Sequence, residues 1–200
     1  MKLKSAALLV LLLFGLAGNA NAESDPKAVV QTLNDRLIEV MKHGSELGFK
    51  GREDKLRPVV SAVYDMTAMT KSTLGLAGAK LSPEDAAKLA EAYTRYSVAT
   101  YAEQFNAWSG ERFEVDQPRA ADNGQMLVPS WIVAADGSRT SIDYLMHDDG
   151  GSWRIVDVLF DGAVSQVAVR RSEFVPIFRR DGLAALIAVL DNKAASLGHP

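Results

Sequence analysis

The chain has 200 residues, 48% of them hydrophobic and 24% charged, with a formal net charge of -3, the profile of a soluble globular protein large enough for one real core. The balance is slightly acidic and no basic run interrupts it, which argues against nucleic acid and against electrostatic adhesion to an anionic membrane. Cysteine is absent, so disulfides, thiolate metal sites and a cysteine nucleophile are excluded while the redox compartment stays open.

Residues 1–22 read as a secretory signal peptide. Lys2 and Lys4 form a short positive region, Ala6 to Leu16 is apolar or small, and Ala20-Asn21-Ala22 is a small-x-small cleavage site before Glu23. A membrane anchor would need about 20 apolar residues, and this run is roughly half that. No cysteine follows it to carry a lipid. Cleavage after Ala22 would remove both lysines and leave residues 23–200, read as a single domain, near a charge of about -5.

The domain opens with a helix. Ser24 or Asp25 can cap it, Pro26 suits its first turn, and Val29, Val30, Leu33, Leu37, Val40 and Met41 form one stripe before Gly44. A polar link with Gly48 and Gly51 precedes a second helical piece around Leu56 to Tyr64, with Pro58 early in it. Met66, Met69 and Leu74 follow. Gly75, Gly78 and Lys80 miss the spacing of a phosphate loop and read as a turn. Ser82-Pro83-Glu84-Asp85 starts a long helix predicted to reach Trp108. Its apolar positions fall along two edges, Leu89, Tyr93, Tyr96 and Thr100 on one, and Val98, Tyr101, Phe105 and Trp108 on the other. A helix apolar over so much of its girth is either sandwiched in a core or faces a cavity on one side.

From Glu111 the period becomes that of strands. Phe113 and Val115 alternate, as do Met126, Val128, Ser130 and Ile132, then Ile142, Tyr144 and Met146. Asp122-Asn123-Gly124, Asp136-Gly137 and Asp148 to Gly151 supply hairpin turns between them. Trp153 to Phe160 reads as a strand apolar on both faces, broken by Asp161-Gly162, with Ser165 able to cap a following helix. Pro129 puts an edge or bulge in its strand, and Pro176 and Asp181-Gly182 interrupt the closing helices. The pattern predicts an α+β fold, a four-stranded antiparallel curved sheet with helices packed on one side.

Chemistry is sparsely marked. No nucleophile elbow, zinc helix motif, dinucleotide loop or calcium loop is present. His43, His147 and His199 lie far apart and give no expectation of a metal site. Asp143, Asp157 and Asp161 could reach one cavity and serve as a base, although turn and hydrogen-bonding roles explain them more simply. Arg170 and Arg171 could line an anionic rim or be merely solvated.

The run Trp153-Arg154-Ile155-Val156-Asp157-Val158, then Asp161-Gly162-Ala163-Val164-Ser165, Arg171-Ser172-Glu173-Phe174 and a late Gly182 with Leu186 resembles the C-terminal signature of the MlaC family. Tyr101 to Phe105 and Trp108 to Phe113 resemble its central part. Gly48-Phe49, Gly51-Arg52, Met69, Ser109 to Phe113 and Arg170 to Phe174 look closer to the hopanoid-biosynthesis-associated branch, HpnM. The resemblance covers nearly all of the chain after residue 22. It implies a monomeric periplasmic carrier, without cofactor or enzymatic activity, that encloses acyl chains of a phospholipid or hopanoid lipid in an apolar cavity. It also implies delivery between an inner-membrane lipid transporter complex and an outer-membrane lipid complex. By the family's pattern the cavity wall is expected to hold Tyr64, Met69, Tyr93, Trp131, Tyr144 and Val158, with Val164 at the strand-to-helix corner. The competing readings are a small-molecule enzyme on a cone-shaped α+β fold, with Asp143 or Asp157 as base, and an adaptor that only docks on a transporter.

Overall fold

Asp25 accepts a hydrogen bond from the Lys27 amide and Pro26 fills the first turn, so α1 (Pro26–Lys42) begins at the cap expected of it. The computed structural model describes residues 25–198, so the expected leader and His199 lie outside the described residues. Val30, Leu33, Leu37 and Val40 on α1 are fully buried. α2 (Gly44–Val63) is interrupted at Gly48 and returns alongside α1, with Lys55 Nζ 3.2 Å from Glu39 Oε1. Asp65 caps α3 (Met66–Leu74) by accepting from the Ala68 amide, and Ser82 caps α4 (Pro83–Gln104) by accepting from that of Asp85. Among the described residues no helix is long and apolar enough to cross a membrane.

α4 stops short of Trp108, and the reason is tertiary. The buried Arg52 guanidinium on α2 donates to Ala102 O at 2.7 Å and to Gly44 O at 2.8 Å, supplying a donor to the last turn of α4, where carbonyls lack helical partners. The chain then crosses α2 so closely that a Cβ on Gly44 would lie 1.8 Å from Asn106 O. Only glycine permits that crossing. Trp108 is left 46% exposed, with Lys42 Nζ over its ring.

Among the described residues the sheet has seven strands where four were expected: β1 (Arg112–Val115), β2 (Arg119–Ala120), β3 (Met126–Val128), β4 (Ser130–Val133), β5 (Arg139–Asp148), β6 (Trp153–Phe160) and β7 (Val164–Ser165). β1 pairs antiparallel with β4, and β2 with β3, so these four form a single hairpin interrupted on both sides. Pro118 and Pro129 sit at the interruptions and have no amide hydrogen for the ladder. β5 pairs with both β3 and β4 on one side and with β6 on the other, with a register shift at Leu145/Met146. That shift leaves Val156 as the extra residue of a bulge, which explains why neighbouring Ile155 and Val156 are both buried.

The corner after β6 also differs from expectation. Asp161 and Gly162 take positive φ, and the chain returns as β7, pairing Val164 with Phe160, before Ser165 caps α5 (Gln166–Ser196). α5 breaks at Gly182. A straight helix would separate Glu173 from Lys193 by about 30 Å, yet Lys193 Nζ lies 3.2 Å from Glu173 Oε2. The two arms of α5 therefore fold back on each other, burying Phe174, Leu186 and Leu190. α1, α2, α3 and α5 all pack against β6, which puts the core between the helices and the inner face of the sheet.

Candidate functional site

Along α4, Tyr93, Ser97, Thr100, Tyr101 and Gln104 recur at helical spacing and share one face. That face borders an open pocket with a cavity volume of about 110 Å³, smaller than the ordinary range for drug-sized ligands. Tyr64, Met66 and Met69, from the end of α2 and from α3, close one side of it. Val158 and Phe160, alternate residues of β6, close another, and Gln166 and Arg170 of α5 complete the lining with Tyr96. The wall is therefore mixed. Thioethers, aliphatic carbon and aromatic faces supply its apolar area, while hydroxyls, two amides and one guanidinium also line it.

Inside, the Tyr64 and Tyr101 hydroxyls hydrogen-bond to each other, and Tyr93 meets Phe174 edge to face with ring centroids 5.9 Å apart. Burial pushes the Tyr93 and Tyr101 hydroxyls up to about 12, and those of Tyr64 and Tyr144 well above the usual tyrosine range. These four groups are neutral at physiological pH. Arg170 partly offsets the effect at Tyr93; its Cζ sits 5.1 Å from the centroid of the Tyr96 ring.

Among the described residues no carboxylate or imidazole lines the pocket. Asp143 is buried opposite Pro129, where it accepts from Ser141 Oγ at 3.0 Å and from the Ser130 amide at 3.4 Å, a donor displaced from the ladder by the proline break. Asp157 accepts from Ser165 Oγ and from the Val167 amide, tying β6 to the start of α5. Asp161 is the turn residue of the β6–β7 hairpin. Of the two readings of these acids, the turn and hydrogen-bonding one is what the structure shows, and the shared-base alternative finds no common cavity. Among the described residues no cluster of metal ligands forms; His43 pairs with Glu46 and His147 with Asp65.

A model of the MlaC protein family matches residues 31–192. The chain belongs to the MlaC family. It is similar to the toluene tolerance protein ttg2D of Pseudomonas putida, with 23% identity over 166 residues that cover 80% of this chain and 76% of that one. Among solved structures it is similar to the phospholipid-binding protein from Ralstonia solanacearum in complex with a phospholipid, at a TM-score of 0.71 and 21% identity, covering 88% of this chain and 100% of the other. At that identity the likeness establishes a common fold, helices against a curved antiparallel sheet.

In this MlaC-family chain the structure gathers Tyr64, Met69, Tyr93 and Val158 around the pocket and leaves Trp131, Tyr144 and Val164 outside its lining. Tyr144 is fully buried beside Val158 on the neighbouring strand, behind the pocket wall. Trp131 lies on β4, with the Arg139 guanidinium 4.5 Å over its ring. Val164 is 49% exposed because β7 carries it past the mouth. Sequence reasoning passed over Met66, Tyr101, Phe160 and Gln166, among others, as lining residues, and left Arg170 between an anionic rim and solvent. The helical edges of α4 already carried the signal for Tyr101; nothing local distinguishes Arg170 from a solvated arginine.

Proposed function

We propose that this MlaC-family protein is a periplasmic lipid carrier that holds an acyl chain in the pocket between α3, α4, α5 and β6 and performs no chemistry on it. The observation that carries the reading is the pocket itself, an open and mostly apolar space walled by Met66, Met69, Val158, Phe160 and neutral tyrosines. Each buried methylene contributes about 0.8 kcal/mol, so ten of them give about 8 kcal/mol, a micromolar-scale retention before ordering costs. The phospholipid named with the related Ralstonia protein supports the same ligand class here.

Residues 1–22 act as the export signal, with Glu23 as the new N-terminus. The carrier works as a monomer, taking phospholipid or a hopanoid-type lipid from an inner-membrane transporter complex or an outer-membrane complex and delivering it to the other, as the resemblance to the family implies. Purification of the full-length product from a periplasmic fraction, N-terminal sequencing, and mass spectrometry of an organic extract test the reading together. The expected result is a chain starting at Glu23 with lipid bound at up to one per protein, its headgroup or polycyclic skeleton naming the class. A protein that emerges empty and takes up no lipid from detergent micelles would end the carrier reading.

A further inference from the structure

Among the described residues Arg170 is the one charged side chain in the lining of the pocket, and the carrier function as described makes no use of it. Its side chain is only 18% exposed. Both of its hydrogen bonds to Glu173, at 3.2 and 3.3 Å, leave from Nη1, so Nη2 and Nε stay outside that ion pair. Glu173 is also shared, accepting from Lys193 Nζ at 3.2 Å. Lys193 Nζ lies 5.8 Å from the centroid of the same Tyr96 ring that Arg170 covers. Two cations around one carboxylate leave a unit of positive charge at the pocket. The other polar groups of the lining are hydroxyls and amides, so no carboxylate in the wall repels an anion there.

A guanidinium whose Nη2 and Nε lie outside the Glu173 pair, next to the neutral Tyr93 hydroxyl and over the Tyr96 ring, offers the planar fork that binds phosphate oxygens. Placed beside an apolar pocket, it fits a molecule that joins a phosphate ester to acyl chains. We infer that Arg170, oriented by Glu173 and Tyr96, is the site that takes the phosphate of a phospholipid headgroup while the acyl chain occupies the pocket. The inference rests on the carrier reading and deepens it: a neutral polycyclic lipid has nothing to offer this guanidinium.

The test offers delipidated full-length protein either phosphatidylglycerol or diacylglycerol with the same acyl chains, from detergent micelles, and measures retained lipid per protein. The native chain is expected to favour the phosphate-bearing lipid. Arg170→Gln should lower phosphatidylglycerol retention roughly tenfold, the scale of a charged hydrogen bond, with diacylglycerol retention unchanged. Glu173→Gln, which frees the guanidinium, should move the ratio the other way, and it decides the matter if Arg170→Gln does not fold. An unchanged ratio in a folded Arg170→Gln protein, or a lowered one in Glu173→Gln, would overturn the phosphate site and leave the carrier reading standing. Retention of neither lipid by the native chain would remove both. Inorganic phosphate separates the two sources of the anion: binding to the lipid-free protein that Arg170→Gln abolishes would assign the site to free phosphate instead.

Discussion

The tyrosines show how a residue acquires its role from neighbours that its local sequence does not display. Tyr64, Tyr93, Tyr101 and Tyr144 come from three elements and meet in one region, where burial raises every hydroxyl. An unfolded tyrosine ionises near 10.0, while folded Tyr93 and Tyr101 hold out to about 12. Folding therefore keeps the neutral form. The associated stability is whole below about pH 10 and is lost as pH climbs through about 12, because ionisation then favours the unfolded chain. An alkaline titration followed by phenolate absorbance and circular dichroism should show these hydroxyls ionising together with loss of structure; ionisation of all five tyrosines near pH 10.0 in a still-folded protein would contradict their burial. The aspartates teach the same lesson in reverse. Asp143 and Asp157 could be picked out in the sequence as potential bases, but the sequence hides Ser130, Ser141, Ser165 and Val167, the donors that claim them.

Among the elements, three helix starts were legible because caps are local: Asp25, Ser82 and Ser165 each accept from an amide two or three residues on, and Asp65 caps α3 in the same way without having been anticipated. Ends were less so, since α4 stops where Arg52 and Gly44, far away in the chain, meet it. The interruptions of the first hairpin follow from two prolines, and of these only Pro129 falls within a run that reads as a strand. Gly182 could be read as a break, but not that the two arms of α5 double back until Glu173 meets Lys193. At φ 81 and ψ -175 its backbone lies in a region essentially reserved for glycine. Gly182→Ala should cost about 1–3 kcal/mol, read as a lower urea midpoint with an unchanged slope. A midpoint equal to that of the native chain would mean that the fold-back does not depend on this residue.

At the scale of the whole molecule, the pocket lies where α3, α4, α5 and β6 converge, on the same side of β6 as the helices. The family resemblance instead places Val164, at the strand-to-helix corner, in the cavity wall. The bulge at Val156 accounts for the adjacent buried residues of β6, and the short return of β7 leaves Val164 half-exposed outside the pocket lining. A carboxylate at position 164 would therefore point a charge at solvent, whereas bulk on the inner face of α4 would fill the pocket. Val164→Glu is expected to retain lipid at the native level and to change stability by no more than about 0.5 kcal/mol. Ser97→Trp is expected to lose most of the lipid while folding normally. Extracts assayed for lipid after native purification check both, and the opposite outcome would return the binding surface to the β6–β7 corner.

By itself the sequence determined the α+β class, the order of helices before strands, most helix starts, the apolar stripe of α1 and the candidate export signal. All of these depend on residues within a few positions of one another, where period, capping and turn chemistry act. The tertiary structure alone decided that Tyr64, Met69, Tyr93 and Val158 share a wall with Arg170, that Tyr144 stands behind it, and that Val164 lies outside. Those placements depend on where α4 ends, how α5 folds back and which register β6 adopts. Each is fixed by contacts between segments distant in the chain, which no local pattern encodes.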